Sequence, residues 1–240
     1  MSRFILVHGA WLGAWCWDDV VAPLRAQGHE AIAIELPGHG ADQTPLSAIS
    51  LAAYVDRVSS QVAGGKERSV LVGHSMAGIV LSSVAEAMPE KLHSLIYVAA
   101  YLLRSGQSIM NASAIAADSL VGPSMVPAAD WSTVAIKPEA LAAVFAEDAP
   151  AAALKRLQSL ARPEPAQPFS TPLTVTAGRF GTVRRCYVRT ALDRAVTPML
   201  QDAMLAAMPC AKVATMATSH TPFLAKPNEL ADTLMALAST

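Results

Sequence analysis

With 18 basic against 19 acidic side chains in 240 residues, and a net charge of -1, the chain lacks the charge excess expected of a partner for nucleic acid or an anionic membrane. A chain of this length buries on the order of 70% of its unfolded surface, so neither a disulfide framework nor a metal is needed to hold it together. The three cysteines, Cys16, Cys186 and Cys210, are odd in number and lack metal-ligand spacing, which makes free thiols the expectation.

The N-terminal residues pass from one arginine into Phe4 to Val7, an apolar run of strand length that stops at the glycine-punctuated loop His8-Gly9-Ala10-Trp11-Leu12-Gly13. That run is too short for a signal peptide or a membrane span, and the expectation is a soluble cytoplasmic protein. Residues 17–27 read as a helix closed by Gly28, residues 30–36 as a second strand, and residues 37–40 (PGHG) as a turn. Ser50 is placed to cap a helix over residues 51–63, which Gly64 and Gly65 terminate.

The stretch SVLVGHSMAG, residues 69–78, is the centre of the chain. Val70, Leu71 and Val72 form a strand-length apolar run, while residues 76–88 have helical spacing with Ile79, Val80, Val84 and Met88 near one stripe, ended by Pro89. Ser75 falls at the tip of the turn between them. In a strand-turn-helix elbow the serine takes a strained backbone conformation that presents its hydroxyl, and its neighbours must be small. Gly73, Ala77 and Gly78 meet that requirement, with Ala77 standing where strict G-x-S-x-G has its second glycine.

A fourth strand is expected over residues 94–99, and strands alternating with helices imply right-handed crossovers and a parallel sheet. Active sites of such sheets lie beyond the strands' C-terminal ends, where the order reverses, so the Ala10 loop and the Ser75 elbow can meet there. Residues 101–169 break the pattern: Ala, Pro and Ser are frequent, helices are expected over 138–147 and 150–160, and no strand stands out. This length is too great for a plain loop and reads as a helical cap over the sheet edge. Met110, Leu120, Val121, Met125, Trp131, Ile136 and Phe145 could roof an apolar cavity there. The sheet resumes with strands over 183–190 and 211–216, separated by a helix that opens at Thr197-Pro198 and runs to about Met208; a helix over 228–238 closes the chain.

A serine hydroxyl needs an imidazole to take its proton and a carboxylate to orient that imidazole. Of six histidines, only His220 follows a late strand in a loop at the sheet's C-terminal edge, as the order Ser, acid, His requires. Asp118, Asp130, Glu139, Glu147, Asp148 and Glu164 fall in the cap and Asp202 in a helix, which leaves Asp193, directly after a core strand, as the orienting acid.

The segments FILVHGAWLGAWCW (4–17), ELPGHG (35–40), VLVGHSMAG (70–78), RFGTVRRCYV (179–188) and SHTPFLAKPNELADTL (219–234) together resemble the α/β-hydrolases, and among them the plant-type methylesterase and hydroxynitrile lyase group with its bacterial esterase relatives. The resemblance implies an α/β-hydrolase fold: a mostly parallel six-stranded sheet flanked by helices, a core over 1–100 and 170–240, and a small helical cap over 101–169 inserted before the last two strands. It implies an oxyanion hole made by the backbone N–H groups of Ala10 and Met76, in keeping with a helix N-terminus at Met76 and a glycine-containing loop at Ala10. Plant-type lyases carry a threonine in the HG loop and a lysine directly after the histidine, where this chain has Gly9 and Thr221.

The expected function is therefore a carboxylesterase-type serine hydrolase acting on small, largely apolar esters, with Trp11 and Trp131 as candidate substrate contacts. No cofactor or metal is called for, the oligomeric state is open with a homodimer among the options, and lyase-like cleavage or slow-turnover small-molecule binding are the alternatives.

Overall fold

The computed structural model describes residues 1–239. Strands β1 (Arg3–Val7), β2 (Glu30–Ile34), β3 (Ser69–His74) and β4 (Leu92–Val98) precede the 101–169 segment; β5 (Met125–Pro127), β6 (Thr133–Ile136) and β7 (Glu164–Pro165) lie within it; β8 (Arg184–Thr190) and β9 (Lys212–Met216) follow it. Six strands form one sheet in the order β2-β1-β3-β4-β8-β9, every neighbouring pair parallel. Both faces are covered by helices, so β1 and β3 are buried along their whole length, which is why they read as unbroken apolar runs rather than alternating ones.

The chain runs outward from β1 to β2 and then crosses back to β3 on the other side, so the direction of winding reverses between β1 and β3. These two strands are direct neighbours, with Val7 paired to Gly73. The loop leaving β1 and the elbow leaving β3 consequently open into the same crevice, the place where a doubly wound sheet binds ligands.

Helices α1 (Asp18–Ala26), α2 (Leu51–Ala63) and α3 (Ala77–Ala87) each bury an apolar stripe: Val20 and Leu24, Tyr54 and Val58, and, in the stripe read from the sequence, Val80 and Val84. The Ser50 side chain accepts from Ala53 N–H and caps α2 as expected. Several ends differ from the sequence reading. Residues Ala14–Trp17 form a 3-10 turn before α1. Strand β2 stops at Ile34 because the Leu36 N–H turns to the imidazole of His8. Thr197 precedes helix Pro198–Ala207 without capping it, since its hydroxyl donates to Asp118.

The largest difference lies between β4 and β8. Helices are present there, among them Leu141–Phe145 and Ala151–Leu160, but so is an antiparallel three-stranded sheet in the order β5-β6-β7, which corrects the expectation of helices alone. Its strands have three, four and two residues, too few for a period-2 pattern to declare itself. Among the described residues no helix is long and apolar enough to cross a membrane.

Candidate active site

Ser75 has φ +54°, the left-handed conformation that an elbow forces on a residue with a side chain. The surrounding backbone fixes it there: its N–H donates to Val98 C=O, and its own C=O accepts from Gly78 and Tyr101 N–H. The small neighbours are a steric requirement. A Cβ on Gly78 would come within 2.3 Å of the Tyr101 carbonyl oxygen, and one on Gly73 within 2.4 Å of the Leu81 side chain. Ala77 is fully buried, so a methyl fits where the strict motif has glycine.

His220 and Asp193 approach from β9 and β8. Nδ1 of His220 lies 2.7 Å from Oδ2 of Asp193, both side chains essentially buried. The carboxylate is itself held: Oδ1 accepts from the N–H groups of Ala195 and Val196, and Oδ2 accepts from the Thr190 hydroxyl at 2.8 Å. A carboxylate so fixed puts the His220 proton on Nδ1 and leaves Nε2 free to accept another. Both Ser75 and His220 line one cavity.

Ala10 and Met76 line that cavity, and the N–H of neither donates a hydrogen bond to any described residue. Met76 stands where the first N–H groups of α3 have no intrahelical acceptor. Ala10 is presented by a tight approach, since a Cβ on Gly9 would lie 2.7 Å from His74 Nδ1 and 2.8 Å from Ser75 Cβ. Two unpartnered amides beside a raised hydroxyl are suited to an oxygen that gains negative charge.

Three further histidines surround this centre. His74 donates from Nε2 to the backbone carbonyl of His220 at 2.9 Å; burial, followed by the neighbouring His220, holds its pKa well below the ordinary histidine value. His8 is pushed in the same direction by burial, and its Nδ1 donates to Gly9 C=O while Nε2 accepts from Leu36 N–H. For His39 burial opposes charging, but the Glu164 carboxylate 2.7 Å away outweighs it and raises the pKa. Among the described residues no cluster of His, Cys, Asp or Glu could hold a metal ion.

The cavity measures about 500 Å³, a volume ordinary for a small-molecule site. Apart from Ser75 and His220 its wall is apolar or hydroxyl-bearing, and it includes no Lys, Arg, Asp or Glu. Of the cap residues singled out in the sequence, Met110, Val121, Met125, Trp131 and Phe145 line it; Leu120 and Ile136 do not. Trp11 and Trp131 both line it, in different ways: Trp11 is buried, with Nε1 donating to Val134 C=O, whereas Trp131 is 71% exposed at the rim. Thr221 is turned away, its hydroxyl donating to Phe145 C=O.

Two cap carboxylates set aside in the sequence reading reach the centre from above. Glu164 meets Trp11 N–H, and Asp148 accepts from the N–H and the hydroxyl of Ser219, the residue before His220. Nothing local in the sequence marks either residue, because their partners lie 153 and 71 positions away.

The sequence model of the alpha/beta hydrolase family matches residues 4–233. Esterase PIR7B of Oryza sativa subsp. japonica is 30% identical, across 99% of this chain and 96% of that protein. Putative methylesterase 11, chloroplastic, of Arabidopsis thaliana is 29% identical across 99% of this chain, which spans only 64% of that longer relative. Among solved structures, a pyrethroid hydrolase from Sphingobium faniae superposes with a TM-score of 0.88 at 26% identity, over 100% of this chain and 98% of its own. The chain belongs to the alpha/beta hydrolase family, within which it is a relative of the plant methylesterase group.

Proposed function

We propose that this chain is a carboxylesterase-type serine hydrolase that cleaves small, largely apolar esters through an acyl-enzyme on Ser75. The observation that carries the reading is the buried His220–Asp193 pair at a cavity that also holds Ser75 and two unpartnered amides. In this reaction Ser75 Oγ attacks the ester carbonyl carbon as Nε2 of His220 takes the hydroxyl proton. The carbonyl electron pair moves to oxygen, where the Ala10 and Met76 N–H groups meet it. Collapse reforms the C=O bond and breaks the bond to the alcohol oxygen, which leaves with the proton from His220. A water then gives its proton to His220 and attacks the acyl carbon; the acid departs and the proton returns to Ser75.

The apolar cavity wall supports an ester with apolar groups on both sides of the carbonyl, since an ionised substrate would be desolvated there without a partner. The same wall supports hydrolysis over lyase chemistry: no ammonium or guanidinium faces the cavity to receive a departing cyanide. The names of the relatives, an esterase and a putative methylesterase, support ester chemistry as a class. A cytoplasmic location is part of the proposal, supported by three cysteines that are all unpaired.

The test is hydrolysis of p-nitrophenyl esters from acetate to decanoate by the wild-type protein and Ser75→Ala, with mandelonitrile assayed alongside. Ser75-dependent ester turnover with no mandelonitrile cleavage is expected. A Ser75→Ala variant retaining near wild-type rates would remove the assignment. Inert esters with tight ligand binding would make the protein a binder, and mandelonitrile turnover would make it a lyase.

A further inference from the structure

Residue Trp11 directly follows the Ala10 amide and has φ +63°, a conformation that costs a tryptophan roughly 1–3 kcal/mol and persists only where its surroundings impose it. The surroundings here are the cap. The Trp11 N–H donates to Oε2 of Glu164 at 3.0 Å, its C=O accepts from Arg162 N–H at 3.1 Å, and its indole Nε1 donates to Val134 C=O at 2.8 Å. Val134 and Glu164 are paired across β6 and β7, so one small sheet supplies two of the three contacts.

Glu164 is fully buried, and all its described contacts are accounted for. Oε2 takes Trp11 N–H and Nε2 of His39 at 2.7 Å, while Oε1 takes the Tyr54 hydroxyl at 2.8 Å. Both His39 and Tyr54 belong to the core, on the turn after β2 and on α2, and both are fully buried. A buried carboxylate is costly unless every lone pair is engaged. The engaged set here joins the cap to the loop that carries Ala10. The preceding peptide is fixed independently, because His8 Nδ1 donates to Gly9 C=O at 2.8 Å and so sets the plane in which Ala10 N–H lies.

We infer that Glu164 is a positioning residue for the oxyanion hole: by taking the Trp11 N–H it locks the peptide after Ala10, and the cap thereby aims one of the two amides at the reacting oxygen. This rests on the proposed Ser75 mechanism. Glu164 touches no substrate, since it does not line the cavity, and its effect reaches the reaction only through the backbone of Ala10 and Trp11.

Three variants separate aiming from mere support. Glu164→Gln can present its carbonyl oxygen to Trp11 and His39 and its amide to the Tyr54 oxygen, so it preserves the lock. Glu164→Met removes every acceptor, and Glu164→Asp keeps the charge but withdraws it by one methylene. If a fixed amide is worth about 100- to 1000-fold in kcat, misaiming one is expected to lower kcat by about 10- to 100-fold in Met and Asp. KM for the same ester should stay within about twofold, and Gln should stay within about threefold of wild type. Inhibition by a trifluoromethyl ketone, whose hemiketal oxygen occupies the hole, should weaken in parallel with kcat.

Hydrogen exchange of the peptide covering residues 9–13 gives a readout that needs no substrate: exchange at Trp11, whose N–H Glu164 holds, should quicken at least about tenfold in Met and Asp and remain slow in Gln. If Met fails to fold, Asp carries the comparison. Unchanged exchange in Asp, or a loss confined to KM, overturns the positioning role. Esters inert to the wild-type protein would instead sink the esterase reading, with the exchange result still deciding whether Glu164 holds the loop.

Discussion

His74 donates from Nε2 to the backbone carbonyl of His220, so the residue before the elbow serine holds the loop that carries the candidate base. Only a protonated ring nitrogen can serve a carbonyl, and burial keeps the ring neutral, with Nδ1 left unpartnered. His74→Leu leaves that carbonyl buried without a donor, at an expected cost of about 1–3 kcal/mol near pH 8. Because the folded-state pKa is depressed, the neutral ring contributes its full stability above the ordinary value of 6.5, and this is lost as pH falls below that value. The stability gap between wild type and His74→Leu should therefore narrow by up to about 1.4 kcal/mol per pH unit below that point. Urea unfolding at pH 8, 6 and 5 measures it; a gap independent of pH would mean that His74 titrates alike in the folded and unfolded protein, and a gap that widens on acidification would mean that it is charged in the fold.

Asp193→Asn should spare the fold and remove most of the turnover. Its Oδ1 contacts to Ala195 and Val196 can survive in asparagine, but an amide NH2 facing His220 Nδ1 selects the wrong tautomer and leaves Nε2 protonated. The expected fall in kcat is of order 10⁴ with KM little changed. Steady-state kinetics beside a thermal melt distinguishes this from unfolding, and a variant within tenfold of wild type would place the orienting acid elsewhere.

Gly9→Ala tests the loop rather than the triad. The added methyl would sit 2.7 Å from His74 Nδ1 and 2.8 Å from Ser75 Cβ, both in the packed centre of the site, so the loop must shift. Overpacking of this kind costs about 1–3 kcal/mol, and displacement of the Ala10 amide should lower kcat by about 100-fold or more. Full activity in this variant would exclude Ala10 as an oxyanion donor.

The parts of this protein that were legible in its sequence are those whose causes are local. Ser75 was marked by the small residues that a tight elbow demands within three positions. Asp193 and His220 were found by position after late strands, and the fold brings their side chains to 2.7 Å. The parallel sheet followed from strands that alternate with helices along the chain. The cap was legible only as a change in composition. Its sheet is built from strands of two to four residues, and its hold on Trp11 depends on Val134 and Glu164, 123 and 153 positions away. No periodicity records contacts of that separation, and a glutamate that looked like one more cap acid proved to be fully buried against Tyr54 and His39.

Trp131 offers the clearest separation of specificity from stability. It lines the cavity from the rim while 71% exposed, so removing it takes little from the core of the free protein. Trp131→Ala should shift folding stability by no more than about 0.5 kcal/mol. A long acyl chain that covers roughly 50 Å² of the indole would lose about 1.3 kcal/mol of binding at 25 cal/mol per Å², close to a tenfold fall in kcat/KM. Acetate, too short to reach the rim, should be hydrolysed at the wild-type rate. The profile of kcat/KM against acyl length for the two proteins should thus diverge only at the long end. A uniform loss at every length would show that Trp131 supports the cap rather than the substrate.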